Sequence, residues 1–232
     1  MCDRIDNTRV YVADISQLKD PELFRVLYER LPEFRRRKAD EVKPDISKIQ
    51  SVGAGTLLMF ALKENGLREK EPVVLYGENR KPYLRDYPKL HFNLSHAGDR
   101  VMCAISSAEV GCDVEEIKKP NMKIAKRFFT EDELLQIMEI QRMPSNQYPF
   151  PDPFYRIWTV KESVMKVTGK GMTLSMASFS YDLFRQKLSK QPDQNTYFIK
   201  EYLGILEGES YCYSCCSPRN AFAERPIIVA LH

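Results

Sequence analysis

Residues 155–171 read YRIWTVKESVMKVTGKG, a helical pattern closed by glycines. With Phe154 as origin and a step of about 100° per residue, Phe154, Ile157, Trp158, Val164, Met165 and Thr168 fall within an arc of about 120°, a core-facing stripe. Lys161 falls inside that stripe, where a lysine is out of place. Glu162 and Lys166 share its flank, one turn apart. Gly169 and Gly171 follow where a helix ends and the backbone turns. Taken alone, the Glu–Lys pair reads as ordinary helix stabilisation, worth about 0.3–0.5 kcal/mol. The buried-side lysine and a second carboxylate cluster change that reading.

The second cluster lies upstream, in VGCDVEE at 110–116. Asp113 and Glu115 are two apart in an extended segment, so both side chains point to one face. Two carboxylates on one face repel and need a cation. Hard oxygen ligands at this spacing suit Mg²⁺, which keeps waters and is shared with substrate phosphates. The plain alternative is a solvent-exposed strand edge. If the 155–171 helix crosses this strand, Glu162 supplies a third carboxylate, and Lys161 and Lys166 stand near the same ion. Carboxylates that hold a cation beside lysines that hold anions describe a site for a metal-bound di- or triphosphate. Ser95 and His96, at the end of a strand, add a hydroxyl and an imidazole for a phosphate. Lys81, in the turn before that strand, adds an ammonium.

Around these motifs the pattern predicts an α+β chain with mainly antiparallel sheet. Strands are expected over 9–15, 73–76, 90–95, 101–106, 110–116, 178–184, 196–203, 210–216 and 227–231. Helices are expected over 21–31, after Pro32, over 47–63, 122–129 and 131–140, with Thr130 as an N-cap. Gly53 and Gly55 sit inside a helix, where small size permits close approach. A turn is expected at Gly208. Residues 142–153 are Pro-rich and read as a loop. The segment 106–111 is the expected seam between two halves.

Composition sets outer bounds. The chain has 232 residues, 43% hydrophobic and 29% charged, enough for one large or two small globular domains. A net charge of +3 does not by itself imply nucleic acid. Arg35 to Lys38 and Lys118 to Arg127 are basic runs, expected as solvated faces. No apolar run approaches the ~20 residues that span a bilayer. The six cysteines (Cys2, Cys103, Cys112, Cys212, Cys215, Cys216) follow a polar start, MCDRIDNTRV, without a signal-peptide pattern, so a reducing cytoplasm is expected. CYSCC lacks a second pair at zinc spacing and alternates with tyrosines, as a strand would.

RKPYL, FNLSH, GCDVE, FFTEDE and WTVKESVMKVTGKG, in that order, resemble the surfactin-synthetase-type 4′-phosphopantetheinyl transferases. Each motif is weak alone, and five in order are specific. The resemblance covers about residues 43–179. It implies a pseudo-dimer of two similar α+β halves, 1–108 on the coenzyme A 3′-phosphate and adenine side, 109–232 on the metal and pyrophosphate side. It implies Mg²⁺, coenzyme A as co-substrate, and a serine of an acyl or peptidyl carrier protein as acceptor, with adenosine 3′,5′-bisphosphate released. Fatty acid, polyketide or nonribosomal peptide carriers all fit. It implies a monomer, and the modest charge and lack of an apolar run lead to no expected nucleic-acid or membrane partner.

Residue by residue, the resemblance makes Asp113, Glu115 and Glu162 the metal ligands. Lys161 and Lys166 lie next to the phosphates, Ser95 and His96 at the 3′-phosphate, and Lys81 in the lysine–proline turn. Lys43 and Lys48 fall in the basic stretch ahead of the glycine-containing helix, with Gln50 where arginine is expected. Asn79-Arg80 replaces the usual glycine before Lys81-Pro82, and Ala97 stands where serine is common. The base that takes the hydroxyl proton is Glu162 or Glu133, which follows Phe128-Phe129. The basic patch from Lys118 to Arg127, with Tyr148 and Phe150, is the expected carrier-docking face. The alternative from another class is a non-catalytic module that binds coenzyme A or a carrier.

Overall fold

A computed structural model describes residues 6–43, 45–77, 79, 81–144, 146–204 and 210–232. Cys2, Arg80 and the expected Gly208 turn lie outside the described residues. In chain order the elements are β1 (Arg9–Asp14), α1 (Pro21–Arg30), α2 (Glu33–Asp40), α3 (Asp45–Glu64), β2 (Val74–Tyr76), β3 (Pro82–Leu84), β4 (His91–Ala97), β5 (Arg100–Ser106) and β6 (Gly111–Glu116). Then come α4 (Met122–Phe128), α5 (Glu131–Arg142), α6 (Pro153–Thr168), β7 (Ser180–Asp182), β8 (Lys187–Lys190), β9 (Phe198–Glu201), β10 (Tyr211–Ser217) and β11 (Ile227–Ile228). The class is α+β, as the periodicity indicates. Two short elements escape the pattern: β3, read only as extended chain, and β8.

The main sheets are β11-β1-β5-β4 and β6-β10-β9. All their pairings are antiparallel except β1 with β11. Strand alternation builds three cores. One face of the first sheet (Tyr11, Ala13, Val101, Cys103, Ile105) packs under α3 residues such as Leu57 and Leu58. The other face (Val10, Val12, Met102, Ala104) meets Cys112, Val114, Tyr213 and Cys215 of the second sheet. A third core gathers α4, α5 and α6 with β7 and β8. The five described cysteines are buried and unbridged, as expected of structural thiols.

The C-terminus returns across the expected 108/109 boundary. β11 pairs with β1, and Val229 and Leu231 enter the core beneath α3. Helix α6 departs from the sequence reading as well. Its covered surface is much wider than a 120° stripe, because Arg156, Thr159, Lys161 and Ser163 are buried together with the apolar residues. Trp158 and Thr168, expected inside, are half-buried. The open flank is Tyr155, Trp158, Glu162 and Lys166, at helical spacing. Asp152 caps the start, accepting from Phe154 N–H at 2.9 Å. Gly169 ends the helix with φ of 65°, the left-handed conformation that glycine takes without strain.

Candidate active site

Gly111 explains how the two carboxylate-bearing elements come together. A Cβ built on it would lie 2.1 Å from Ser163 O and 2.5 Å from Val167 N. The start of β6 therefore rests directly on the backbone of α6, an approach open only to glycine. From there strand alternation turns Asp113 and Glu115 toward the helix. They meet its open flank in antiparallel order: Lys166 contacts Asp113, Trp158 contacts Glu115, and Glu162 lies between the two on the helix.

The contacts are short and polar. Lys166 Nζ donates to Asp113 Oδ1 at 2.6 Å, to Ser95 Oγ at 3.0 Å and to Cys112 O at 3.1 Å. Ser95 Oγ donates to the same Asp113 oxygen at 2.7 Å. Asn93 Oδ1 accepts from Cys112 N–H at 3.0 Å, so β4 of one sheet abuts β6 of the other. The cluster thus sits on the seam. Burial opposes the charge on Lys166, but Asp113 outweighs it and the pKa lies above the ordinary lysine value. Burial, then Asp113, raise the Glu162 pKa. Burial, then Asp113, push Glu115 up to about 7, against the Trp158 hydrogen bond.

Among the described residues, no group of three His, Cys, Asp or Glu side chains stands at metal-holding geometry. The donor set nevertheless fits a divalent cation on two observations. Asp113 Oδ2 is buried with no hydrogen-bond partner among the described residues. After burial, the Asp113 charge raises the pKa of both Glu115 and Glu162, which a cation among them would relieve.

Ser95 and His96 alternate on β4, so they face opposite sides of the strand. His96 is exposed, yet desolvation, followed by Lys166, Lys38 and Arg35, lowers its pKa. Arg35 and Lys38 belong to α2, Lys166 to α6, and Asp113 opposes them. The run from Arg35 to Lys38 is not a uniform solvated face. Arg35 is buried, donates to Ser51 O at 2.8 Å, and has its pKa lowered by burial to about 10.

Two expected site residues lie elsewhere. Lys161 is fully buried and spends its ammonium on Glu133 at 2.8 Å, Met176 O at 2.7 Å and Phe179 O at 2.9 Å. Glu133 is also fully buried. It accepts Thr130 N–H at 2.8 Å in a capping box and Tyr181 N–H at 2.8 Å. Neither side chain reaches the open flank of α6, because both are consumed inside the third core. The expectations of Lys161 beside the phosphates and Glu133 as a base are corrected accordingly.

The remaining lysines are dispersed. Lys81 Nζ is held by Glu109 and by Val167 O at 3.0 Å, at the end of α6. Asn79 ahead of it has φ of 56°, so it adopts the glycine-like conformation that asparagine tolerates. A cavity of about 720 Å³ opens beside Lys81, His91 and Glu109, and the three carboxylates do not line it. Lys48 pairs with Asp40 at 3.1 Å, and Lys43 is exposed ahead of α3. Gln50 donates to Gly98 O at 3.0 Å, which braces the turn following His96. Tyr148 is also committed: its hydroxyl meets the buried Arg156 guanidinium at 2.5 Å.

The sequence pattern does not show Trp158 at the cluster or Arg35 as buried. The signal for Trp158 was present, since it precedes Glu162 by four residues and shares its flank. For Arg35 no local pattern separates a buried cation from a solvated one.

Residues 109–216, the segment that carries Asp113, Glu115, Glu162 and Lys166, match the sequence model of the 4′-phosphopantetheinyl transferase superfamily. This segment, just under half of the chain, is thus similar to that superfamily. It is 29% identical over 223 residues to the 4′-phosphopantetheinyl transferase psf-1 of Bacillus pumilus, covering 93% of this chain and 92% of that one. It is 38% identical over 128 residues to the 4′-phosphopantetheinyl transferase Sfp of Bacillus subtilis (strain 168), 54% of this chain and 55% of that one. A third relative, the 4′-phosphopantetheinyl transferase gsp of Aneurinibacillus migulanus, is 37% identical over 149 residues, 62% of this chain and 58% of that one. The matches to Sfp and gsp thus span little more than half of those proteins.

Proposed function

We propose that this chain transfers the 4′-phosphopantetheine group of coenzyme A to a serine of an acyl or peptidyl carrier protein, and that Mg²⁺ assists. The observation that carries the reading is the seam cluster, where Ser95 and Asp113 from two sheets share Lys166 while Glu115 and Glu162 stand alongside. Asp113, Glu115 and Glu162 would hold the cation. When bound, it would offset the negative charge that grows on the pyrophosphate oxygens.

The chain's own groups do the rest. Lys166 neutralises a phosphate oxygen of the leaving bisphosphate. Ser95 donates a hydrogen bond at the seam. His96, exposed on β4, receives the 3′-phosphate. Glu162, on the open flank, takes the proton of the attacking serine hydroxyl, whose own pKa is far too high for it to ionise unaided. The 109–232 side supplies the metal and pyrophosphate contacts, and the 1–108 side those to the 3′-phosphate.

The protein acts as a monomer in the cytoplasm and serves fatty acid, polyketide or nonribosomal peptide synthesis. Among the described residues no helix is long and apolar enough to cross a membrane. The deciding experiment is intact-mass spectrometry of apo carrier protein incubated with this chain, coenzyme A and Mg²⁺. A gain of one phosphopantetheine group, abolished by chelator and by Glu162→Gln, is expected. No gain across acyl and peptidyl carriers, with coenzyme A still bound by calorimetry, would favour a non-catalytic binding module.

A further inference from the structure

The helix presents two donors to the two strand carboxylates, and they differ in charge. Asp113 receives the ammonium of Lys166. Glu115 receives the neutral indole N–H of Trp158, which meets Oε1 at 3.2 Å. The indole is itself fixed on three sides. Phe154 stacks on it with centroids 6.0 Å apart, Phe128 meets it edge-on at 6.1 Å, and Phe129 lies tilted at 6.4 Å. A donor braced in this way fixes the rotamer of the acid it touches. It also adds no positive charge. A second ammonium at Glu115 would repel a cation held among Asp113, Glu115 and Glu162 by Coulomb's law, while an indole does not. Oε2 of Glu115 stays outside the bond.

We infer that Trp158 is a positioning residue for the cation site: its indole N–H orients Glu115 so that the acid's other oxygen is presented to the ion together with Asp113 and Glu162. This rests on the metal-dependent reading proposed above. Groups that hydrogen-bond a metal ligand from behind typically change metal affinity by 10- to 100-fold, so the effect should be measurable.

The chain contains a single tryptophan, so biosynthetic replacement of tryptophan is site-specific. β-(3-Benzothienyl)alanine keeps the fused ring and replaces the N–H by sulfur. Mn²⁺ serves as the probe, with coenzyme A present, and loss of the free-ion paramagnetic resonance signal reports binding to the full chain. Mn²⁺ binding should weaken by roughly 10-fold or more in the benzothienyl protein at an unchanged melting temperature. Trp158→Phe should show a similar loss. In the native chain, Mg²⁺ with coenzyme A should shift the Trp158 emission, a signature that a packing role alone would not give. Native-like Mn²⁺ affinity in the benzothienyl protein would overturn the inference, and so would an affinity loss confined to Trp158→Phe and accompanied by a lower melting temperature. Failure of the native chain to bind Mn²⁺ would remove the cation site itself, and that result is seen before any replacement is made.

Discussion

Lys161 and Lys166 stand five residues apart on one helix and do different work. Lys161 is sealed in the third core with Glu133, and burial lowers its pKa although Glu133 opposes this. Removing one partner of such a pair strands the other charge, so Lys161→Met should cost about 3–5 kcal/mol in urea unfolding. Lys161→Met with Glu133→Gln removes both charges and keeps an amide oxygen for the Tyr181 N–H. The double variant should be more stable than the single one. Lys166, half-exposed on the seam, affects chemistry more than folding. Glu109 gives a second residue-scale expectation. The hydrogen bond from His91, with help from Lys81, holds its pKa down at about 2 despite burial. A depressed carboxylate contributes stability above its ordinary pKa of 4.5 and loses it as pH falls toward about 2. Glu109 is half-exposed, so solvent screens the effect. Between about pH 5 and pH 2, unfolding midpoints of the native chain should fall more than those of Glu109→Gln. The sequence marks both lysines as unusual but cannot separate them, because their partners are brought in by tertiary contacts.

At the scale of elements, the crossing of β6 over α6 decides the site. Gly111 is the contact point, and the atoms facing it are backbone, which cannot rotate away. Gly111→Ala should cost about 3 kcal/mol or more through overpacking, which lowers the melting temperature by roughly 6–12 °C. It should weaken Mn²⁺ binding as well, since lifting β6 off α6 separates Asp113 and Glu115 from Glu162. A calorimetric scan together with the paramagnetic titration checks both effects. The end of α6 was legible, because Gly169 is a strong stop signal, whereas its first residue, Pro153, reads as loop. The width of its buried surface was not. Buried polar residues such as Arg156, bonded to Glu201 at 2.6 Å, read as exposed until a partner forty-five positions away is in place. β3 and β8 were missed because short pieces carry too few alternations to register.

The whole molecule is held together by the core between the two sheets. Met102 lies in that core on the first sheet, whereas Trp158 is in the segment beyond the seam. Met102→Ala should destabilise by about 2–5 kcal/mol. The loss should appear at the same denaturant midpoint in Trp158 fluorescence and in far-ultraviolet circular dichroism. Two separated transitions would mean that the halves unfold independently. The return of β11 to β1 ties the C-terminus to the first sheet and adds to this coupling.

The sequence by itself determined the α+β class, most helix and strand positions, and the Asp113/Glu115 and Glu162/Lys166 pairs at strand and helix spacing. These follow from periodicity and capping, which are local. The tertiary structure alone decided that Lys166 meets Asp113 while Lys161 is consumed by Glu133, and that Trp158 leaves the core to hold Glu115. It also sent the last strand back to the first sheet. The physical reason is that a buried charge or donor is defined by its partner, and partners brought together by packing leave no mark on the local pattern of either one.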